Sequence, residues 1–287
     1  MTPSGRVDAH QHFWRPARGD YGWLTPALTP LYRDFSPPDL LPLLQSAGID
    51  TTVLVQAAPT VAETEFLLDL ARGQAFIGGV VGWVELTAAD ASATLERLAR
   101  ERAFKGVRPM LQDLADPGWI AHAPVDAAVR TLVRLGLSFD ALVRPVHLPH
   151  LLAFARRHPA LPIVIDHAAK PDLAHGEYET WRTQMAQLAA LPQVCCKLSG
   201  LVTEAGAGWT TDGLRRHVDA VLELFGPERV IWGSDWPVVT LAARYGDWVA
   251  ATDGLLASLG DPERAAVLGG NARRFYRLDA VPAEPGG

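Results

Sequence analysis

An α/β fold is predicted for this chain, a single (β/α)8 barrel of the TIM type, regular or distorted, and three observations predict it. Eight short apolar or β-branched runs recur along the 287 residues, and a longer helical stretch follows each. The runs are apolar throughout rather than alternating, as parallel strands covered on both faces require. The segment after the first run, "HQHFW", lacks the Gly-rich phosphate loop that a doubly wound open sheet would want there.

The elements follow in order. The first strand is read at "RVDAH" from Arg6, and Ser36-Pro37 then supplies an N-cap followed by proline at the first helical position. The second strand is "TTVLVQA" from Thr51. Thr60 to Glu63 reads T-V-A-E, a capping-box pattern, after which Phe66, Leu67 and Leu70 share one helical face. "FIGGVVGWV" from Phe76 precedes a helix over 87–102, and "FKGVRP" from Phe104 precedes one over 125–136. "LSFDALV" from Leu137 leads to a helix at 148–157, and "LPIVIDH" from Leu161 to one at 177–191. "VCCKLSG" from Val194 and "RVIWGSD" from Arg229 flank a helix over 214–225, with closing helices at 241–259 and 262–275. No repeat, low-complexity stretch or linker divides the chain, so one domain is expected over residues 1–278 and a frayed tail, ending "VPAEPGG", over 279–287.

Composition narrows the function classes. With 48% hydrophobic residues the chain can bury a large core, and a formal charge of −6 disfavours nucleic acid or an anionic membrane, which need a basic face. No apolar run approaches the ~20 residues that span a bilayer. The opening "MTPSGRVDAH" lacks the order of a signal peptide, and the two cysteines are adjacent, Cys195 and Cys196, which gives no disulfide framework. A soluble protein of the reducing cytoplasm is expected, with a small-molecule partner; self-association is left open.

In such a barrel the active site lies at the C-terminal ends of the strands. There the chain carries His10, His12, Gln56, Glu85, Arg108, Arg144, His167, Ser199 and Asp235. Residues i and i+2 of a strand face the same way, so His10 and His12 project together. Strict alternation sends Asp8 with them toward the axis and Val7 and Ala9 outward. His167 shares parity with Ile163 and Ile165, and Asp235 with Ile231 and Gly233. Three imidazoles and a carboxylate at the mouth make either a ligand set for a first-row metal or a metal-free acid/base cluster. Trp14, Trp23, Trp83, Trp209 and Trp236 fall in or near the loops over the mouth, where indole faces can stack on a sugar ring.

Five stretches in order, "DAHQHFW", "VVGWVEL", "FKGVR", "DHAAKP" and "IWGSDWPV", resemble the amidohydrolase superfamily, and more narrowly the lactone-hydrolysing branch of its amidohydrolase 2 group. The resemblance covers nearly the whole chain and implies a distorted (β/α)8 barrel. It places the family's first-strand H-x-H on His10 and His12, its sixth-strand histidine on His167 and its eighth-strand aspartate on Asp235, as catalytic residues or, where a metal is bound, as its ligands. Arg108, Glu85 and Trp236 are expected to contact substrate. The superfamily's two-metal members use a carboxylated lysine on the fourth strand and a histidine on the fifth. Here the fourth strand ends in Arg108, with Lys105 three residues earlier, and the fifth has no histidine, so zero or one divalent metal, zinc first, is expected. The implied activity is hydrolysis of an aldonic sugar lactone such as L-fucono- or L-rhamnono-lactone, with Asp235 assisting attack of water on the carbonyl. The alternatives are a muconolactone- or pyrone-dicarboxylate-type lactone, or a metal-dependent decarboxylation.

Overall fold

The computed structural model describes residues 5–173 and 177–278, and the tail expected at 279–287 lies outside them. Eight parallel strands pair in sequence order: β1 (Arg6–Gln11), β2 (Ile49–Val55), β3 (Ile77–Gly82), β4 (Phe104–Val107), β5 (Ser138–Ala141), β6 (Ile163–Ile165), β7 (Val194–Leu198) and β8 (Val230–Trp232). Sequential, all-parallel order is that of a (β/α)8 barrel. Residues just past β8 complete the circle. The Asp235 N–H donates to the His10 carbonyl and the His12 N–H to the Trp236 carbonyl, each at 2.7 Å. Closure and site thus share one stretch of backbone.

The helices are α1 (Pro37–Ala47), α2 (Val61–Arg72), α3 (Ala91–Leu98), α4 (Trp119–His122), α5 (Asp126–Leu135), α6 (Leu148–Arg157), α7 (Tyr178–Ala189), α8 (Leu201–Ala205), α9 (Thr211–Phe225), α10 (Tyr245–Leu255), α11 (Asp261–Ala265) and α12 (Asn271–Tyr276). Pro37 opens α1 as expected, and the Asp39 carboxylate accepts from the Ser36 N–H and hydroxyl at 2.9 and 2.7 Å. Only half of the capping box predicted at Thr60 forms. The Thr60 hydroxyl accepts from the Glu63 N–H at 3.0 Å, but the Glu63 carboxylate turns back to the N–H groups of Ala57 and Ala58 and ties down the β2–α2 loop. The helix predicted over 262–275 is split by a wider turn at Ala266–Gly270 between α11 and α12.

Two apolar layers follow from the strand pleat. Leu54, Val80, Phe139, Ile163 and Ile165 face outward into the main core with the helices. Val7, Ala9, Val53, Val55, Val164 and Ile231 fill the barrel interior, closed below by Ala272 and Tyr276 of α12. The alternation expected along β1 is therefore overturned: Val7 and Ala9 point inward, and Asp8 accepts from the Tyr245 hydroxyl of α10 at 3.0 Å. The cause is a one-residue bulge. Asp8 pairs with Thr52 and Gln11 with Leu54, so three steps on β1 match two on β2, and the consecutive residues Ala9 and His10 both face the axis. Parity fails for His167 too, because Ile163 and Ile165 face outward. His167 turns in because the chain leaves the strand pattern, with His167, Ala168, Ala169 and Lys170 at φ of 53°, 49°, 64° and 50°.

Candidate active site

His10, His12, His167 and Asp235 meet at the C-terminal mouth of the barrel, all buried. One carboxylate oxygen, Asp235 Oδ1, lies 3.3 Å from His12 Nε2, 3.7 Å from His10 Nε2 and 3.9 Å from His167 Nε2. The His10 and His167 ring centres are 4.5 Å apart. Asp235 itself is held at φ 59°, a left-handed conformation that aims its side chain at the three rings. Two glycines make the close approach feasible. A Cβ on Gly200 would sit 2.6 Å from His167 Nδ1, and one on Gly233 would sit 2.7 Å from His10 Cβ.

Second contacts orient the rings. His12 Nδ1 is 2.8 Å from the Val55 carbonyl, which only accepts, so Nδ1 carries the proton and Nε2 turns its lone pair toward Asp235. His167 Nδ1 is 2.8 Å from the Ser199 hydroxyl. Burial lowers the pKa of all three imidazoles, that of His167 to about 4, so they are neutral at pH 7. Burial opposes ionisation of Asp235, but in the acid range where it would titrate the histidines carry charge, His167 foremost, and they hold its pKa below the ordinary carboxylate range. A lone pair and a carboxylate facing each other at 3.3 Å need a positive charge or a donor between them.

That donor set fits a single divalent ion. His10, His12 and Asp235 offer ligand atoms within 4.8 Å of one another, and the Val55 and Ser199 contacts behind His12 and His167 are of the kind that would orient histidines on a metal. A second group of ligand atoms, His10, Asp166 and His167, meets the same distance criterion. Asp166, however, is already neutralised by Lys197 Nζ at 3.1 Å and the Arg108 guanidinium at 3.6 Å.

Beneath the rings lies an ionic cluster that the sequence reading missed. Lys197, fully buried, sits 2.6 Å from Asp140, 3.1 Å from Asp166 and 3.2 Å from His10 Nδ1. Asp140 also accepts from the Tyr276 hydroxyl at 2.6 Å and the Ser138 hydroxyl at 3.1 Å. Two cations, Lys197 and Arg108, balance two carboxylates. The available signal was a single charge inside each of three apolar strands, in "LSFDALV", "LPIVIDH" and "VCCKLSG". Such a charge must point inward and find an opposite partner.

A cavity of ≈ 170 Å³ opens over the cluster, lined by His12, Arg108, His167, Lys170 and Asp235 with Trp23 on one side. Arg108 donates to the carbonyl and side-chain oxygens of Gln56, its Nη1 lies 3.4 Å from His10 Nε2, and its Nε has no partner among the described residues. The other two residues expected to contact substrate are elsewhere. Trp236 is buried edge-on against Phe13 and Phe35, outside this cavity, because the chain turns its indole into the outer core. Glu85 is exposed in an adjoining cleft, and one of its oxygens accepts from the Thr87 N–H and hydroxyl. Trp14 donates to the Leu31 and Arg33 carbonyls and is core material, and Trp209 donates to the Ala242 carbonyl. Lys105 donates to the Arg277 carbonyl next to α12, away from the histidines.

Known proteins resemble this one along nearly all of its length. A family model described as Amidohydrolase (Amidohydro_2) matches residues 7–278. An L-fucono-1,5-lactonase of Burkholderia ambifaria is 51% identical over 278 residues, covering 96% of each chain. An L-fucono-1,5-lactonase of Burkholderia multivorans is 42% identical, covering 95% of this chain and 96% of its own. The crystal structure of an amidohydrolase from Burkholderia multivorans with bound zinc aligns at a TM-score of 0.89 and 40% identity, covering 96% of this chain and 99% of that one. With the barrel, the strand-end histidines and Asp235 in place, the chain belongs to the amidohydrolase family.

Proposed function

We infer that this protein is a lactonase that hydrolyses an aldonic sugar lactone of the L-fucono-1,5-lactone class to the open hydroxy acid. The observation that carries the chemistry is one ionised carboxylate within 3.3–3.9 Å of three neutral imidazoles at the floor of a small cavity. The substrate class rests on the 51% and 42% identity to L-fucono-1,5-lactonases.

Opening a lactone requires a base for water, stabilisation of the charge that builds on the carbonyl oxygen, and a proton for the leaving ring oxygen. Asp235 is assigned the first and last roles: it takes the proton from water and returns one to the departing alkoxide. A carboxylate with a depressed pKa is a weak base, but a lactone is an activated ester, and general-base assistance of about 10²–10⁴-fold suffices. His12, with its Nδ1 proton held by Val55, keeps its Nε2 lone pair toward Asp235 and the attacking water. The Arg108 guanidinium lines the cavity as donor to a substrate oxygen. His10, His12, His167 and Asp235 would hold a divalent ion, which would supply a Lewis acid for the carbonyl.

Neutral sugar lactones are favoured over dicarboxylates. A doubly anionic ligand wants converging arginines, but Arg144 is exposed, and Arg15 and Arg18 lie over the Phe66 ring at 5.5 and 4.7 Å. No helix among the described residues is long and apolar enough to cross a membrane. Two free cysteines suit the reducing cytoplasm, where we place this step of carbohydrate breakdown. The test is a pH-indicator screen of lactones, corrected for spontaneous opening, with the parent and Asp235→Asn. Hydrolysis of L-fucono-1,5-lactone is expected in the parent, with a loss of about 10²–10⁴-fold in the variant. A variant within a few-fold of the parent would remove Asp235 from the base role.

A further inference from the structure

The cavity over the histidines is the smaller of two that join at this end of the barrel. A cleft of ≈ 450 Å³ adjoins it and shares Trp23, Met110 and Asp113 with it. The ≈ 170 Å³ cavity falls below the about 300–1,000 Å³ usual for ligand pockets and suits one small ring, whereas the cleft lies within that range. The chemistry assigned above leaves the cleft unused.

Its walls are aromatic and aliphatic. Trp23, Trp83 and Trp119 line it, with Leu86 and the exposed Leu114 between them. Trp23 is held rigidly, its indole N–H donating to the Ala57 carbonyl at 2.8 Å and its ring edge-to-face with Trp14 at 5.3 Å. The charged groups are all carboxylates, from Asp20, Glu85 and Asp113, and none of the described lining residues is basic. Asp20 Oδ2 accepts from Arg18 at 2.8 Å and the Thr60 hydroxyl at 3.2 Å, while its Oδ1 is buried without a partner among the described residues. Arg18 offsets Asp20 alone, so Glu85 and Asp113 leave the cleft net negative; it disfavours anions and offers acceptors to hydroxyl donors, and indole faces match the C–H faces of a sugar ring.

We propose that this cleft is a second carbohydrate subsite that takes a neutral glycosyl group carried on a ring hydroxyl of the lactone, so that glycosylated aldonolactones are substrates alongside free ones. The proposal rests on the lactonase reading. It gives Glu85, which the fold keeps away from the histidines, a role as an acceptor for hydroxyls of the outer sugar.

The experiment compares kcat/KM for L-fucono-1,5-lactone with that for its O2-, O3- and O4-galactosylated forms, in the parent, Trp119→Ala and Leu114→Asp. At least one glycosylated isomer is expected to match or exceed the free lactone. Both variants should lower that isomer's kcat/KM at least tenfold and leave the free lactone within twofold. Leu114→Asp changes an exposed side chain, so its result stands if Trp119→Ala fails to fold. Failure of every isomer to match the free-lactone value, or equal losses on both substrates, would overturn the subsite. Calorimetric binding of the ring-opened acids needs no turnover and separates the two readings. If the free lactone is not hydrolysed the lactonase reading falls, and the subsite then stands on tenfold tighter binding of a galactosylated acid that Leu114→Asp abolishes. Equal binding of the plain and galactosylated acids, or tighter binding of a benzyl ether than of any galactosyl form, would refute it.

Discussion

Lys197→Met probes the charge balance beneath the site. The ammonium lies 2.6 Å from Asp140 and 3.1 Å from Asp166, all three fully buried. Removing one partner of such a set usually costs about 3–5 kcal/mol, because a charge is left uncompensated. A proton limits the loss. Burial and the neighbouring Asp166 already raise the Asp140 pKa, so in the variant Asp140 takes up the missing positive charge as a proton. Relative to an unfolded aspartate of pKa ~3.9, protonation costs about 4 kcal/mol at pH 7 and about 1.5 kcal/mol at pH 5. The sign follows directly. The folded variant binds one proton more than its unfolded chain, so its stability falls as pH rises, by about 1.4 kcal/mol per unit. Urea unfolding at pH 5, 6 and 7 reads this as a destabilisation that grows with pH. Adding Asp140→Asn should recover most of the loss and abolish the slope. A Lys197→Met protein that loses under about 1 kcal/mol at pH 7, with the same loss at pH 5, would refute the electrostatic account of the cluster.

Four further outcomes are expected. Arg108→Met should raise KM about tenfold with a smaller effect on kcat, as for loss of a charged hydrogen bond; an unchanged kcat/KM would confine Arg108 to holding Gln56 and Asp166. Ser199→Ala removes the partner of His167 Nδ1 and should lower kcat/KM by about 10–100-fold with near-parental unfolding, while a neutral result would detach Ser199 from the site. Burial raises the Glu63 pKa from 4.5 to about 7, so its contribution to stability is full below pH 4.5 and is lost as pH rises through 7. That loss amounts to at most about 3 kcal/mol, and Glu63→Gln should flatten the curve; parallel curves for variant and parent would reject it. Metal analysis should find no more than one divalent ion per chain, absent from His12→Ala, and two ions would show that Asp166 also serves as a ligand.

Much of this protein can be read from residue patterns, for identifiable reasons. All eight strands fall where apolar runs were read, because burial on both faces leaves little else in a parallel strand. Pro37 and Thr60 mark helix starts through bonds made within four residues. The imidazoles and Asp235 stand out as polar groups ending apolar strands. Reading fails wherever a position depends on a distant partner. Trp236 and Glu85 were grouped with the site by neighbourhood along the chain, and packing against Phe13 and Phe35 took one while an adjoining cleft took the other.

The sequence by itself determined the α/β barrel, the helix starts and the identity of the chemical groups at the mouth, since these follow from local propensity and from burial period. Only the tertiary structure decided where those groups point. A bulge resets the parity of β1 so that His10 faces the axis, and left-handed turns re-aim His167 and Asp235. Buried Lys197 and Arg108 offset two interior carboxylates. Each of these depends on pairing or charge balance between segments far apart in the chain, a constraint that no local window contains.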